Sequence, residues 1–170
     1  CPFAAYGEPM RLLPALFVIA IFSTPGWAQE PLRIGLSVPL SGPYKMLGEQ
    51  ARAGAQASVA ALAATRAVEL VVVDDTCSAE GGKAGAAQFT DGEVDAVAGF
   101  LCTAPLLAAA SAVGGSGVPL VTVSSRADAV TKTSATETAS VFRMAPSSTQ
   151  ESDAVSKLLL PLWRGKKFAI

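Results

Sequence analysis

Stretches of branched apolar residues alternate along the chain with Ala-rich stretches of helical spacing. The first apolar run, Leu32 to Leu40 (LRIGLSVPL), stops at the turn cluster Ser41-Gly42-Pro43 and reads as a buried strand followed by a loop. Met46 to Ala64 places Ala53, Ala57, Ala60 and Ala61 at helical spacing, with Leu47 and Leu62 near the ends. That pattern predicts a helix of about five turns whose small side chains allow close approach to a sheet. Val68 to Asp74 (VELVVVD) is the clearest strand, and its three consecutive valines predict burial on both faces, as in a parallel sheet. A second helix is predicted from about Glu80 to Asp91, a third strand from Val94 to Leu101, and a third helix opened by Cys102-Thr103-Ala104-Pro105 and running to about Val113, stopped by Gly114–Gly117. Val118 to Val123 is the fourth strand.

The order β-α-β-α-β-α-β with short connections predicts an α/β fold, a parallel sheet flanked by helices on both faces. In open sheets of this kind ligands bind beyond the carboxyl ends of the strands. The segments there are Ser41–Leu47, Asp75–Ser78, Cys102–Pro105 and Ser124–Asp128. After Val123 the texture turns polar up to Ser140. An extended segment follows, ended by Ala145-Pro146. Ser147-Ser148-Thr149-Gln150-Glu151 is a strong helix start, predicting a helix to Trp163. Phe168-Ala169-Ile170 reads as the opening of a further strand, so the sequence is expected to be a fragment.

Composition narrows the function classes. Apolar residues make up 51% of the 170, which supplies enough apolar area to order the chain. The net charge is −1 with no Lys/Arg-rich run, which argues against nucleic acid or an anionic membrane as partner. There is no histidine, which removes Ser–His and Cys–His nucleophile pairs and imidazole-based zinc sites. The N-terminal part reads as an address. Arg11 is a positive n-region, Leu12 to Phe22 an apolar run, and Gly26-Trp27-Ala28 has small residues at a cleavage site. Residues 10–28 are therefore expected to be a secretory signal peptide cleaved near Ala28. Residues 1–9 are expected to be upstream residues or an expression scar. In an exported protein Cys77 and Cys102, 25 positions apart, suggest a structural disulfide.

Candidate chemistry lies at the strand ends. The first β-α turn, Leu40 to Gly48, has neither G-x-G-x-x-G nor G-x-x-x-x-G-K-[ST], and Pro43 deletes a backbone donor, so nucleotide binding is not expected. Asp74-Asp75 admits two readings, a metal or phosphoacceptor pair and a strand end whose carboxylates cap a helix or contact the disulfide loop. The second is preferred. Thr103, at the start of a helix, offers a hydroxyl and free N–H groups to a carboxylate, or is a plain N-cap. Ser124, Ser125 and Arg126 face the same crevice. Arg126 is either a fork for a carboxylate or a solvated surface arginine.

These pieces together resemble a known family. Leu40-Ser-Gly-Pro43, Val71-Val-Val-Asp-Asp-Thr-Cys77, Val97-Ala-Gly-Phe-Leu-Cys102, Gly117-Val-Pro-Leu-Val-Thr-Val-Ser-Ser125 and Phe142-Arg-Met144 stand in order from Leu32 to the end. In this the chain resembles the type I periplasmic solute-binding proteins of ABC importers, the leucine/isoleucine/valine-binding branch in particular. The resemblance implies two α/β lobes joined by a hinge and closing on a ligand, with Cys77 and Cys102 disulfide-bonded. It implies residues 29–145 as an incomplete N-terminal lobe with the first hinge crossing, and 146–170 as the first helix and strand of the C-terminal lobe. It implies that Thr103 holds a ligand carboxylate, that the Ser125 carbonyl receives an ammonium, and that Leu47 lines the side-chain pocket. Arg126 stands near a family Thr that binds both groups. A cation there would favour a carboxylate other than a simple branched amino acid.

The function so implied is an extracytoplasmic, periplasmic binding protein. It would be monomeric and without cofactor, metal or catalytic residue, carrying an amino acid of branched-chain type or a related small carboxylate to an inner-membrane ABC permease. The alternatives are a ligand-sensing ectodomain of the same fold and a secreted α/β hydrolase. The latter would need a His and a G-x-S-x-G elbow.

Overall fold

A computed structural model describes residues 30–132 and 140–167. The elements run β1 (Leu32–Val38), a 3-10 turn (Gly42–Tyr44), α1 (Lys45–Leu62), β2 (Val68–Asp74), α2 (Ala79–Asp91), β3 (Ala96–Gly99) and α3 (Thr103–Val113). β4 (Leu120–Thr122), a second 3-10 turn (Asp128–Thr131), β5 (Val141–Arg143) and α4 (Ser148–Trp163) follow. The signal-peptide segment and the strand start at Phe168–Ile170 lie outside the described residues.

The five strands form one parallel sheet in the order β2-β1-β3-β4-β5. The expected α/β architecture is present, and the extended segment before Ala145 is its fifth strand. The chain leaves β1 toward β2 and then crosses back over β1 to β3. Right-handed crossovers place α1 on one face and α2 and α3 on the other, and α2 packs on α3. That crossing is close because Gly82 has no side chain: an added Cβ would lie 2.2 Å from the Pro105 carbonyl oxygen.

The core lies on the α2/α3 side. Val73, Phe89, Val97, Phe100, Leu106, Leu120 and Val130 are buried there together. β3 is shorter than the apolar run predicted. Gly99 (φ 115°) and Phe100 (φ 51°) leave extended geometry and turn the chain toward Cys102.

Two expectations from the periodicity do not hold. Among the described residues β2 is an edge strand paired only with β1, so Val71 and Val72 are half-buried and only Val73 is buried. The helix α1 turns Gly48, Ala51, Arg52, Ala55 and Val59 inward, while Ala53, Ala57, Ala60 and Ala61 are exposed. In an Ala-rich helix the faces differ little in apolarity. Here the seat of Gly48 on Pro39 decides the orientation.

Candidate ligand-binding site

The reversal of chain direction between β1 and β3 makes a switch point, where the loops after neighbouring strands diverge and leave a crevice. A cleft of about 640 Å³ lies there, lined by Tyr44, Leu47, Gln50, Ala51, Leu101, Cys102 and Ser124. One wall is the 3-10 turn and first turns of α1, and the other is the strand ends of β3 and β4. α1 reaches the sheet because Gly48 allows it: a Cβ at that position would stand 1.7 Å from the Pro39 carbonyl oxygen. A second concavity, about 600 Å³, is lined by α4 and the turn after it alone. It brings together none of the strand-end residues.

Asp74 and Asp75 brace the crevice. Asp74 Oδ1 accepts from the Leu40 N–H at 2.7 Å and the Thr76 N–H at 2.9 Å, which ties the turn after β1 to the turn after β2. Burial pushes its carboxyl up, but donors from Ser41, Leu40 and Thr76 outweigh this and hold it below the usual carboxylate range. Asp75 is fully buried. It accepts from the Ser37 hydroxyl at 3.0 Å and the Cys77 N–H at 2.9 Å. Burial pushes this carboxyl above the usual range, against those two bonds and with the Asp74 charge adding to it. Neither acid caps a helix, since Ser78 caps α2, but Asp75 does contact the disulfide loop. Among the described residues no group of His, Cys, Asp or Glu could hold a metal ion.

Cys77 and Cys102 are disulfide-bonded, with Cα atoms 5.4 Å apart. The bond joins the turn after β2 to the start of α3. Thr76 (φ 48°) and Cys77 (φ 57°) are both left-handed there, a conformation that non-glycine residues hold only when their surroundings fix it. The disulfide and the Asp74 and Asp75 bonds supply that constraint.

Thr103 and Ser125 come together. Their hydroxyls are 2.7 Å apart, and Ser125 is buried, with its N–H on the Thr122 hydroxyl. Neither lines the cleft itself, but each follows a cleft-lining residue in the chain. Ser124 donates to the Leu101 carbonyl at 3.0 Å and holds the two strand ends together. The helices α2 and α4 start with serine caps. Cys102 occupies that place in α3 and makes no side-chain cap bond, so the Thr103 and Ala104 N–H groups are left for another acceptor, Pro105 having none. Leu47 lines the cleft. Arg126 does not line it: its guanidinium pairs with Glu151 of α4 at 2.9 Å. Tyr44 falls within the expected Ser41–Leu47 segment, whereas Gln50, Ala51 and Leu101 were not anticipated. Gln50 stands one helical turn after Leu47, the one sequence signal that would have found it.

A family model described as periplasmic binding protein matches residues 31–170. The chain belongs to the periplasmic binding protein family. Solved structures share its fold. It is similar to a possible leucine/isoleucine/valine-binding protein from Rhodopirellula baltica SH 1 (23% identity, 79% of this chain and 37% of that one, TM-score 0.67). It is also similar to an ABC-transporter solute-binding protein from R. palustris in complex with benzoate (22% identity, 78% and 38%, TM-score 0.65). A third is a leucine-binding protein from Thermotoga maritima MSB8 (23% identity, 76% and 37%, TM-score 0.62). The chain thus spans under two-fifths of the length of these structures. A search of curated proteins gives no match. Among the described residues no helix is long and apolar enough to cross a membrane.

Proposed function

We propose that this chain is the first lobe, with the beginning of the second, of a periplasmic solute-binding protein that hands a small carboxylate to an ABC permease. Residues 29–145 form the first lobe and its hinge crossing, 146–170 open the second lobe, and 10–28 are the signal peptide cleaved near Ala28. The protein binds and does not catalyse. The observation that carries the reading is the Thr103–Ser125 hydroxyl pair at the uncapped start of α3, beside a cleft walled by Leu47, Ala51 and Leu101. Hydroxyls and free N–H groups suit a carboxylate, and the apolar wall suits an aliphatic or aromatic body. The ligand class is therefore an amino acid of branched-chain type or a related small carboxylate. Similar structures are titled as leucine-binding and benzoate-bound proteins. The Ser125 carbonyl is the expected acceptor for an ammonium. The second lobe would cover Val155, Leu158, Leu160 and Leu162 of α4, all exposed here.

The test is a thermal shift on the natural full-length protein with amino acids, aliphatic acids and aromatic acids. A ligand at about 100 times its Kd stabilises by roughly 2.7 kcal/mol, which raises the melting temperature by several degrees. A Thr103→Val variant should keep its own melting temperature within a few degrees and lose most of the shift. No shift with any acid, or a Thr103→Val protein that binds as wild type, would refute the reading.

A further inference from the structure

Arg126 lies outside the lining of the cleft, in a cluster of polar contacts. Its carbonyl accepts from the Ser148 N–H at 2.9 Å and from the Ser148 hydroxyl at 3.1 Å. Its guanidinium holds Glu151 at 2.9–3.0 Å. The Thr149 hydroxyl donates to Asp128. Arg143, at the end of β5, donates to the Ala127 carbonyl at 3.0 Å. The stretch from Arg126 to Asp128 is therefore tied at every residue, and Arg126 and Asp128 together make four hydrogen bonds to the first turn of α4. Glu151 belongs in that turn on electrostatic grounds, because the helix dipole favours an acid there. Its side chain is 34% exposed and that of Arg126 is 58% exposed, so the pair is shielded from solvent on the Glu151 side only.

We propose that Arg126 is a latch between the lobes rather than a ligand contact. With Glu151 it fastens α4 to the carboxyl end of β4 and so sets the resting angle across the cleft. This rests on the reading of α4 as the first helix of the second lobe. Observed affinity scales with the fraction of molecules in the binding-competent arrangement. A loosened latch lowers that fraction and weakens every ligand by one common factor. A guanidinium in contact with ligand would act unequally, since it attracts a bare carboxylate and repels an ammonium.

The variants are Arg126→Glu, Glu151→Arg and the double exchange, in the natural full-length protein. Calorimetric titration uses leucine and benzoate as probes, and amide hydrogen exchange at Ser148 and Glu151 is read without ligand. Each single variant should weaken binding of either probe by the same factor, about two- to fivefold for a partly exposed pair, and speed exchange at Ser148. The double exchange should recover most of both losses, short of complete because an arginine then sits at a helix start. Failure of the double exchange to recover, unequal losses for the two probes, or unchanged exchange in the single variants would overturn the latch. Should the wild type bind neither probe, the proposed ligand class fails on its own account. The exchange measurement then decides the latch: protection lost in the singles and recovered in the double supports it, and any other pattern overturns it.

Discussion

Gly48 and Gly54 lie in the same helix, and alanine at each should have opposite effects. At Gly48 the added Cβ would stand 1.7 Å from the Pro39 carbonyl oxygen and 2.6 Å from its carbonyl carbon. Those are backbone atoms with no rotamer to change, so α1 must lift by roughly 1.5 Å before the contact becomes ordinary. Overpacking typically costs about 1–3 kcal/mol, and a clash this close with rigid backbone lies at the upper end, about 2–3 kcal/mol, offset by about 1 kcal/mol of helix propensity. At Gly54 an added Cβ meets nothing within 4 Å, so only the propensity gain remains. Urea denaturation followed by far-UV circular dichroism separates the two. With a slope of about 2 kcal/mol per molar, Gly48→Ala should lower the midpoint by about 0.5–1 M. Gly54→Ala should raise it by about 0.3–0.5 M on the same slope. Because the lift carries Leu47 and Gln50 away from Leu101 and Ser124, Gly48→Ala should also weaken ligand binding. A Gly48→Ala protein as stable as wild type would refute the seat of α1 on Pro39, and with it the position of one cleft wall.

Reducing the disulfide, or Cys77→Ser with Cys102→Ser, should cost about 3–4 kcal/mol for a loop of this length, read as a lower melting temperature in reductant. Asp75→Asn should be neutral or stabilising at neutral pH, since it removes a buried charge while an amide still serves Ser37 and Cys77. Asp75→Leu should cost about 1–3 kcal/mol for each donor it strands. Denaturation midpoints of the two variants check the contrast. The Asp74 carboxyl is held below its ordinary range, so it contributes stability above its unfolded pKa that is lost as pH falls through the folded one. An Asp74→Asn protein should lack that part of the acid transition in a pH series of melts. Asp75 has the opposite sign: its raised pKa favours the fold at acid pH and loses that contribution as pH rises through it.

The order of elements, the parallel sheet, the disulfide partners and the strand-end segments that carry Leu47, Ser124, Thr103 and Ser125 were all legible in the sequence. Each rests on a local signal: apolar runs, turn clusters, two cysteines, hydroxyls placed just after strands. Four things were decided by tertiary structure. The strand order put β1 between β2 and β3, which created the switch point and left β2 an edge despite its three valines. The packing of Gly48 on Pro39 chose the inward face of α1, a choice that an Ala-rich pattern does not encode. Burial of Asp75 depended on Ser37, 38 positions earlier. Glu151, 25 positions later, took the Arg126 guanidinium into an ion pair. A side chain's periodicity reports its own element, but its partner is set by which distant element the fold brings alongside, and no local pattern carries that information.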